Sequence, residues 1–338
     1  TSTVDGGGRS LSILGGAEFD GAVTGLLDLS VSGATTTFAD VTTTGQQLYG
    51  GAVSLAAPLV TLTAAGGSFG GGVVGNGNSL AIDFGGTTAI VGSAFTGIAA
   101  LSTGNGGTTT LAGTLSTSGT QSFGEPVALV ADATLGTAGG DVVFSGSLDG
   151  ARNLVLAAGS GAIRFQNAVG AGTPLASLLL SSAGSVTAAG TIAIDGSAPG
   201  AALNGLTVAG VANVDMQVPG SSVRNCAGSG VLLLSSRDSS VGGFTIADNA
   251  AYGLYVSGNS PGTTIVGNAI GSNVVGAYLD AAGGLTLDGG NSFVGNGAYG
   301  IYARGIATQT TTITGNMVDG LGTGVYGVFL DDAKNIHL

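Results

Sequence analysis

Chemistry on a polymer or at a metal needs acidic and basic side chains held together, and this sequence spreads them thinly. Asp215, Asp238, Asp248, Asp280, Asp288 and Asp319 share no common spacing. Calcium-assisted proton abstraction would want several carboxylates and a base on one surface. The segment DDAKN, Asp331 to Asn335, is the one place that clusters acid with base. Strand alternation points the adjacent Asp331 and Asp332 to opposite faces unless they occupy a turn, so a glycosidase-type carboxyl pair is not expected there. His337, the single histidine, has no Asp or His partner at metal-ligand spacing. Arg237 and Asp238 in SSRDSS read as a solvated turn pair.

Other chemical motifs are incomplete as well. The glycine-rich run GGSFGGGVVGNGNSLAIDFGG offers only Asp83, where calcium-binding rolls need Gly-Gly-x-Gly-x-Asp in tandem. GNGNS is not followed by the Lys-Ser/Thr of a phosphate loop. The lone Cys226 cannot form an internal disulfide, and its setting VRNCAGSG suggests a buried small side chain. The expectation is a chain that is not an enzyme and uses no cofactor and no metal.

Composition limits the elements that must carry these side chains, for 67 of 338 residues are glycine. Glycine costs roughly 1 kcal/mol against alanine inside a helix, so this composition excludes a helical protein and points to an all-β fold. No apolar run approaches the ~18 residues of a membrane helix. Aromatic residues are 5% of the chain, too few for the girdles of a membrane barrel. With 8% charged residues and a net charge of −12, the chain repels phosphate backbones, so nucleic acid is not an expected partner. It starts TSTVDGGGRS and stops at NIHL, and so reads as a mature or excised piece of something longer.

The elements repeat. TGQQLYGGAVSLAAPLVTL, Thr44 to Leu62, returns as SGTQSFGEPVALVADATLG, Ser118 to Gly136, at an offset of 74. The register continues through Val53/Val127, Leu55/Leu129, Leu80/Leu154 and Gly85/Gly159. Glu18 to Gly33 resembles Arg164 to Gly184 as a partial copy. Farther on, a glycine precedes each short apolar strand at Gly230, Gly253, Gly276, Gly300 and Gly327, a period of about 24 residues. One coil of that length accounts for both patterns if the longer offset spans three coils. It is the period of a parallel β-helix whose coils stack at ~4.8 Å. The expectation is therefore a single-rod, right-handed parallel β-helix, a solenoid of about 14 coils of about 24 residues each. Residues 1–190 carry the 74-residue, three-coil repeats, and residues 191–338 carry the 23-to-27-residue Asn/Gly/Tyr repeats, continuous with the first part.

Within the later repeats, alternation turns Leu254 and Val256 inward and Tyr255 outward. The same offset gives an outer stripe of Leu232, Tyr255, Tyr278, Tyr302 and Phe329, joined at the preceding corner by Tyr252 and Tyr299. Such a stripe would stabilise coil stacking by ~0.2–1 kcal/mol per cross-strand pair. It could also serve as a flat aromatic surface for a neighbouring protein or a sugar ring. Asn249, Asn273 and Asn296, and likewise Asn268, Asn291 and Asn316, recur at the same period and read as structural ladders at turns, where Asn tolerates left-handed backbone and its amide bonds to adjacent coils.

The segments NAAYGLYVSGN, NVVGAYLDAAGG and NGAYGIYARG resemble the right-handed parallel β-helix repeats of pectate-lyase-like proteins. The stretch TSGTQSFGEPVALVADATLGTAGGDVVFSGSLDGARNLVLAAGSGAIRF resembles the repeats of filamentous-haemagglutinin-like and autotransporter-type bacterial surface proteins. The resemblances imply an extracellular structural protein, secreted or at the bacterial cell surface: a subunit of a self-assembling filament, or the stalk of an adhesin. The expected partners are copies of itself stacked end to end, or further repeats of a longer chain, with surface glycans as another candidate. A carbohydrate-binding module or a degenerate polysaccharide-active enzyme is the alternative that the pectate-lyase-like resemblance implies.

Overall fold

The computed structural model describes residues 2–37, 39–307, 309–319 and 326–338. Short strands dominate, and one 3-10 turn at Gly92–Ala94 is the only helical element among the described residues. The chain divides into two compact units, residues 1–148 with 158–161 and residues 149–157 with 162–338. Each is a parallel β-solenoid.

In the first unit a buried column runs through Val23, Val41, Leu62, Ile82, Thr103, Phe123 and Phe144, each paired in parallel with the next. The column advances by about 20 residues per coil, so these coils are shorter than expected, near the lower end for a solenoid. Glycine corners make the shortening possible. A Cβ on Gly51 would stand 2.4 Å from the carbonyl carbon of Gly33 in the coil below, a backbone approach that no larger residue permits. Aromatic rings fill the interior between sheets: Tyr49 stacks on Phe69 at 5.7 Å, and Phe123 on Phe144 at 5.1 Å.

The long sequence repeat is consequently not three coils. Tyr49 pairs with Val31 and Phe69, whereas its counterpart Phe123 pairs with Thr103 and Phe144 on another face of the solenoid. Three of these shorter coils do not span the repeat, and the remainder carries the chain around to the next face. What repeats is corner chemistry rather than position. The buried Gln47 Nε2 donates to the carbonyls of Val41 and Thr63, both at 2.9 Å. The buried Gln121 Nε2 donates to the carbonyls of Leu115 at 3.4 Å and Gly136 at 2.9 Å. Each glutamine clips a corner to an earlier and a later strand, a task that any face of a solenoid offers.

In the second unit the column Leu154, Leu178, Leu206, Val231, Leu254, Ala277, Ile301 and Val328 advances by about 25 residues per coil. Two further faces stack Val241, Ile265, Leu287 and Ile313, and Ile246, Ile270, Phe293 and Val318. Apart from Val318, which is partly open, and Val328, which is exposed, these aliphatic and aromatic side chains are buried. Apolar burial of this kind is the main source of a solenoid's stability, each coil covering its neighbour.

Candidate functional site

One residue after each member of that first column the side chain points away from the core. The outward series reads Val155, Leu179, Thr207, Leu232, Tyr255, Tyr278, Tyr302 and Phe329, again in parallel register from coil to coil. The outer side of a sheet with one covered face is usually polar. Here seven of the eight are apolar or aromatic.

All five residues of the expected stripe lie in this column, and six of the chain's seven tyrosines gather around it. Tyr278 is the hub. Its ring stacks on Tyr252 at 4.9 Å and 13°, and meets Tyr255 and Tyr302 at 5.1 Å each, tilted by 49° and 61°. Tyr299 stacks on Tyr326 at 5.6 Å and 14°, and Phe329 closes the cluster against Tyr302 at 5.3 Å. The expected flat, exposed surface is thus corrected in part. The rings lean on one another, some stacked and others tilted or edge to face, as their quadrupoles favour; Tyr278 is only 9% exposed and Leu232 8%, against 54% for Tyr326.

Two residues farther along each strand lies a second outward row, Ser257, Asp280, Arg304 and Asp331, stacked in that order. It is laced diagonally to the rings. Tyr255 Oη donates to Asp280 Oδ2 at 3.4 Å, and Tyr302 Oη to Asp331 Oδ2 at 3.1 Å. A hydrogen bond to Tyr278 and the charge of Asp280 hold the Arg304 guanidinium above its ordinary pKa. Burial, followed by the neighbouring carboxylates Asp280 and Asp331, raises the Tyr255 and Tyr302 phenols above theirs.

At the other end of the column, the loop before Leu206 forms a wall. Asn153 receives the N–H of Ala202 at 3.0 Å and the hydroxyl of Ser177 at 2.7 Å, and donates to the carbonyl of Gly200 at 2.8 Å. A shallow groove of about 240 Å³ results, lined by Leu179, Leu203, Asn204 and Thr207. Sequence reasoning missed Val155, Leu179 and Thr207 because this loop makes the step from Leu178 to Leu206 the longest in the column and breaks the period. It also missed the charged row, although AYLD, IYAR and VFLD display it two residues after each ring.

The family model described as right handed beta helix region matches residues 154–338, more than half of the chain. The chain belongs to the right-handed β-helix family. No curated protein and no solved structure matched it.

Inside this β-helix the six asparagines form two columns. Asn249 Nδ2 donates to Asn273 Oδ1 at 2.9 Å, and Asn273 Nδ2 to Asn296 Oδ1 at 3.2 Å. Asn268 Nδ2 donates to Asn291 Oδ1 at 3.0 Å, and Asn291 Nδ2 to Asn316 Oδ1 at 2.9 Å. None of the six has the left-handed backbone expected of a turn, and five are buried. They lie between strands and bond from coil to coil as the ladder reading has it, but without the left-handed backbone: the amide, not the backbone, is what the position requires.

The remaining reactive groups of the β-helix stand apart. Asp332, with φ 46°, occupies a turn, where it pairs with Lys334 at 3.4 Å in an exposed setting. Asp331 belongs to the tyrosine face instead, so the two adjacent acids do not converge. Arg237 lines a shallow hollow with Gly210, Ser235 and Pro261, and Asp238 has φ 50°. His337 is exposed opposite Thr312, and Asp83 lies between Thr63 and Gly104. Cys226 is buried, and burial pushes its thiol up to about 11. Among the described residues no group of three His, Cys, Asp or Glu is placed to hold a metal, and no helix is long and apolar enough to cross a membrane.

Proposed function

We propose that this β-helix is an extracellular structural protein of the adhesin-stalk or filament-subunit kind, and that the aromatic face of its second unit is a contact surface rather than a catalytic one. The observation that carries this reading is the outward column from Val155 to Phe329, apolar in all but one coil and fringed by Asp280, Arg304 and Asp331. A sheet exterior of that character is what an interaction surface looks like.

The charged row favours contact over hydrolysis. Asp280 and Asp331 are two coils apart, ~10 Å at the strand spacing, close to the separation of an inverting carboxylate pair. Yet Arg304 stands between them in the register, where sugar and water would have to sit, and each carboxylate accepts a tyrosine hydroxyl. Two measurements test the reading. Incubation with plant, algal and bacterial polysaccharides should release neither reducing ends nor unsaturated uronate, and release of either would overturn the non-enzymatic role. Antibody to the chain should label the surface or culture medium of the producing cells, and recovery from the cytosol would overturn the extracellular one.

A further inference from the structure

The charged row of the tyrosine face is self-complementary. In stacking order it reads Ser257, Asp280, Arg304 and Asp331. We infer that this face docks a second copy of the chain, about a two-fold axis that runs parallel to the strands midway between the coils of Asp280 and Arg304. The inference rests on the contact-surface reading above and names its partner.

Rotation about such an axis reverses the order of coils and keeps position along the strand. Asp280 of one copy then faces Arg304 of the other, and Arg304 faces Asp280. Ser257 faces Asp331, a donor opposite an acceptor. In the ring row Tyr278 meets Tyr302 and Tyr255 meets Phe329, aromatic on aromatic throughout. Each contact occurs twice, as an isologous interface demands. The other face-to-face two-fold, with its axis along the solenoid, would set the charged row against the row of Tyr252, Val275, Tyr299 and Tyr326. That arrangement would bury Asp280 and Arg304 against a row that offers neither an opposite charge from the other copy, which is costly. Charge pattern therefore selects the antiparallel arrangement. Aromatic residues and arginine at the centre, with few other charges, are also the composition of a protein interface core.

The test is sedimentation velocity across a wide concentration range, on the whole chain and on charge variants, with a thermal melt to confirm that each folds. The wild type should form a dimer through this face. Arg304→Asp places acids against acids and should weaken the dimer by about tenfold or more, as should Asp280→Arg. The double swap Asp280→Arg/Arg304→Asp rebuilds both interchain pairs and should restore the dimer to within a few-fold of wild type. A chain that stays monomeric at every concentration overturns the inference, as does a dimer indifferent to both single variants. Oligomers that grow lengthwise beyond two, unaffected by these charges, overturn it too. A soluble neutral oligosaccharide that quenches the tyrosine fluorescence of a purely monomeric chain would assign the face to sugar instead. None of these outcomes bears on polysaccharide cleavage or cellular location, so failure of the dimer leaves the non-enzymatic, extracellular reading to its own tests.

Discussion

A Cβ on Gly253 would stand 2.7 Å from Nδ2 of Asn273 in the next coil. Gly230 and Asn249, at 2.6 Å, and Gly276 and Asn296, at 2.8 Å, repeat the relationship. The glycine at the start of each strand and the buried asparagine that follows one coil later are one device: the amide occupies the space a side chain would take. Gly253→Ala would also strike Cγ2 of Ile270 at 2.5 Å and the carbonyl of Gly276 at 2.8 Å. Overpacking of this kind costs ~1–3 kcal/mol, and the urea midpoint should fall accordingly. Gly85→Ala is the control, because its Cβ would meet nothing closer than a carbonyl at 3.8 Å; an equal loss there would remove the steric explanation.

Removing the amide itself should cost more. Asn273 Oδ1 accepts both the backbone N–H of Asn249 at 3.0 Å and its Nδ2 at 2.9 Å, and Asn273 Nδ2 donates to the carbonyls of Ile246 and Gly271. Asn273→Ala strands these buried groups, each a penalty of ~1–3 kcal/mol. We expect a loss of ~3 kcal/mol or more in equilibrium unfolding. Asn316→Ala, which removes a column end whose Nδ2 donates to the carbonyls of Leu287 and Thr314, should cost less because that residue is only partly buried. A reversed order would count against the ladder role.

The first unit contains a buried carboxyl that sequence reading passed over. Glu125 is 2% exposed, and its Oε1 accepts from Thr109 Oγ1 at 2.7 Å, while its Oε2 has no partner among the described residues. Burial raises its pKa, opposed by the hydrogen bonds from Thr109 and Gly107. The folded state therefore holds this proton more tightly than the unfolded chain, where a glutamate titrates near ~4.3. The stability it contributes is fully present below that value and is lost as pH rises through the folded pKa. Glu125→Gln keeps the shape without the charge. Its melting temperature relative to wild type should climb between acidic and neutral pH, and a difference independent of pH would exclude a buried ionisation.

Much of the second unit is legible in the sequence because one constraint acts at one spacing. Gly253, the Tyr255 strand and Asn273 must recur with each coil, and the aromatic column follows from strand alternation alone. The first unit is less so. Gln47 and Gln121 mark equivalent corners on different faces, so the true sequence repeat that relates them misstates the coil length. The charged fringe of Asp280, Arg304 and Asp331 escapes for a different reason: a scan for catalytic clusters seeks carboxylates that converge, and these are separated by an arginine. The leaning of the rings onto Tyr278 is a packing outcome that alternation cannot supply.

Tyr302 offers a direct reading of that face in solution. Its hydroxyl donates to Asp331 at 3.1 Å, and an anion beside a phenol stabilises the protonated form, in the same direction as burial. In a spectroscopic titration of tyrosine ionisation, Tyr302 and Tyr255 should therefore titrate above the ordinary ~10. Asp331→Asn removes the charge and should lower the Tyr302 midpoint toward that value, leaving Tyr255 to Asp280. Tyr302→Phe should delete one late-titrating group and leave stability little changed, since the bond it breaks is solvent-exposed. If Asp331→Asn leaves every tyrosine midpoint where it was, the diagonal lacing of ring to carboxylate does not persist in solution, and the charged row would no longer be held in the order that makes the face self-complementary.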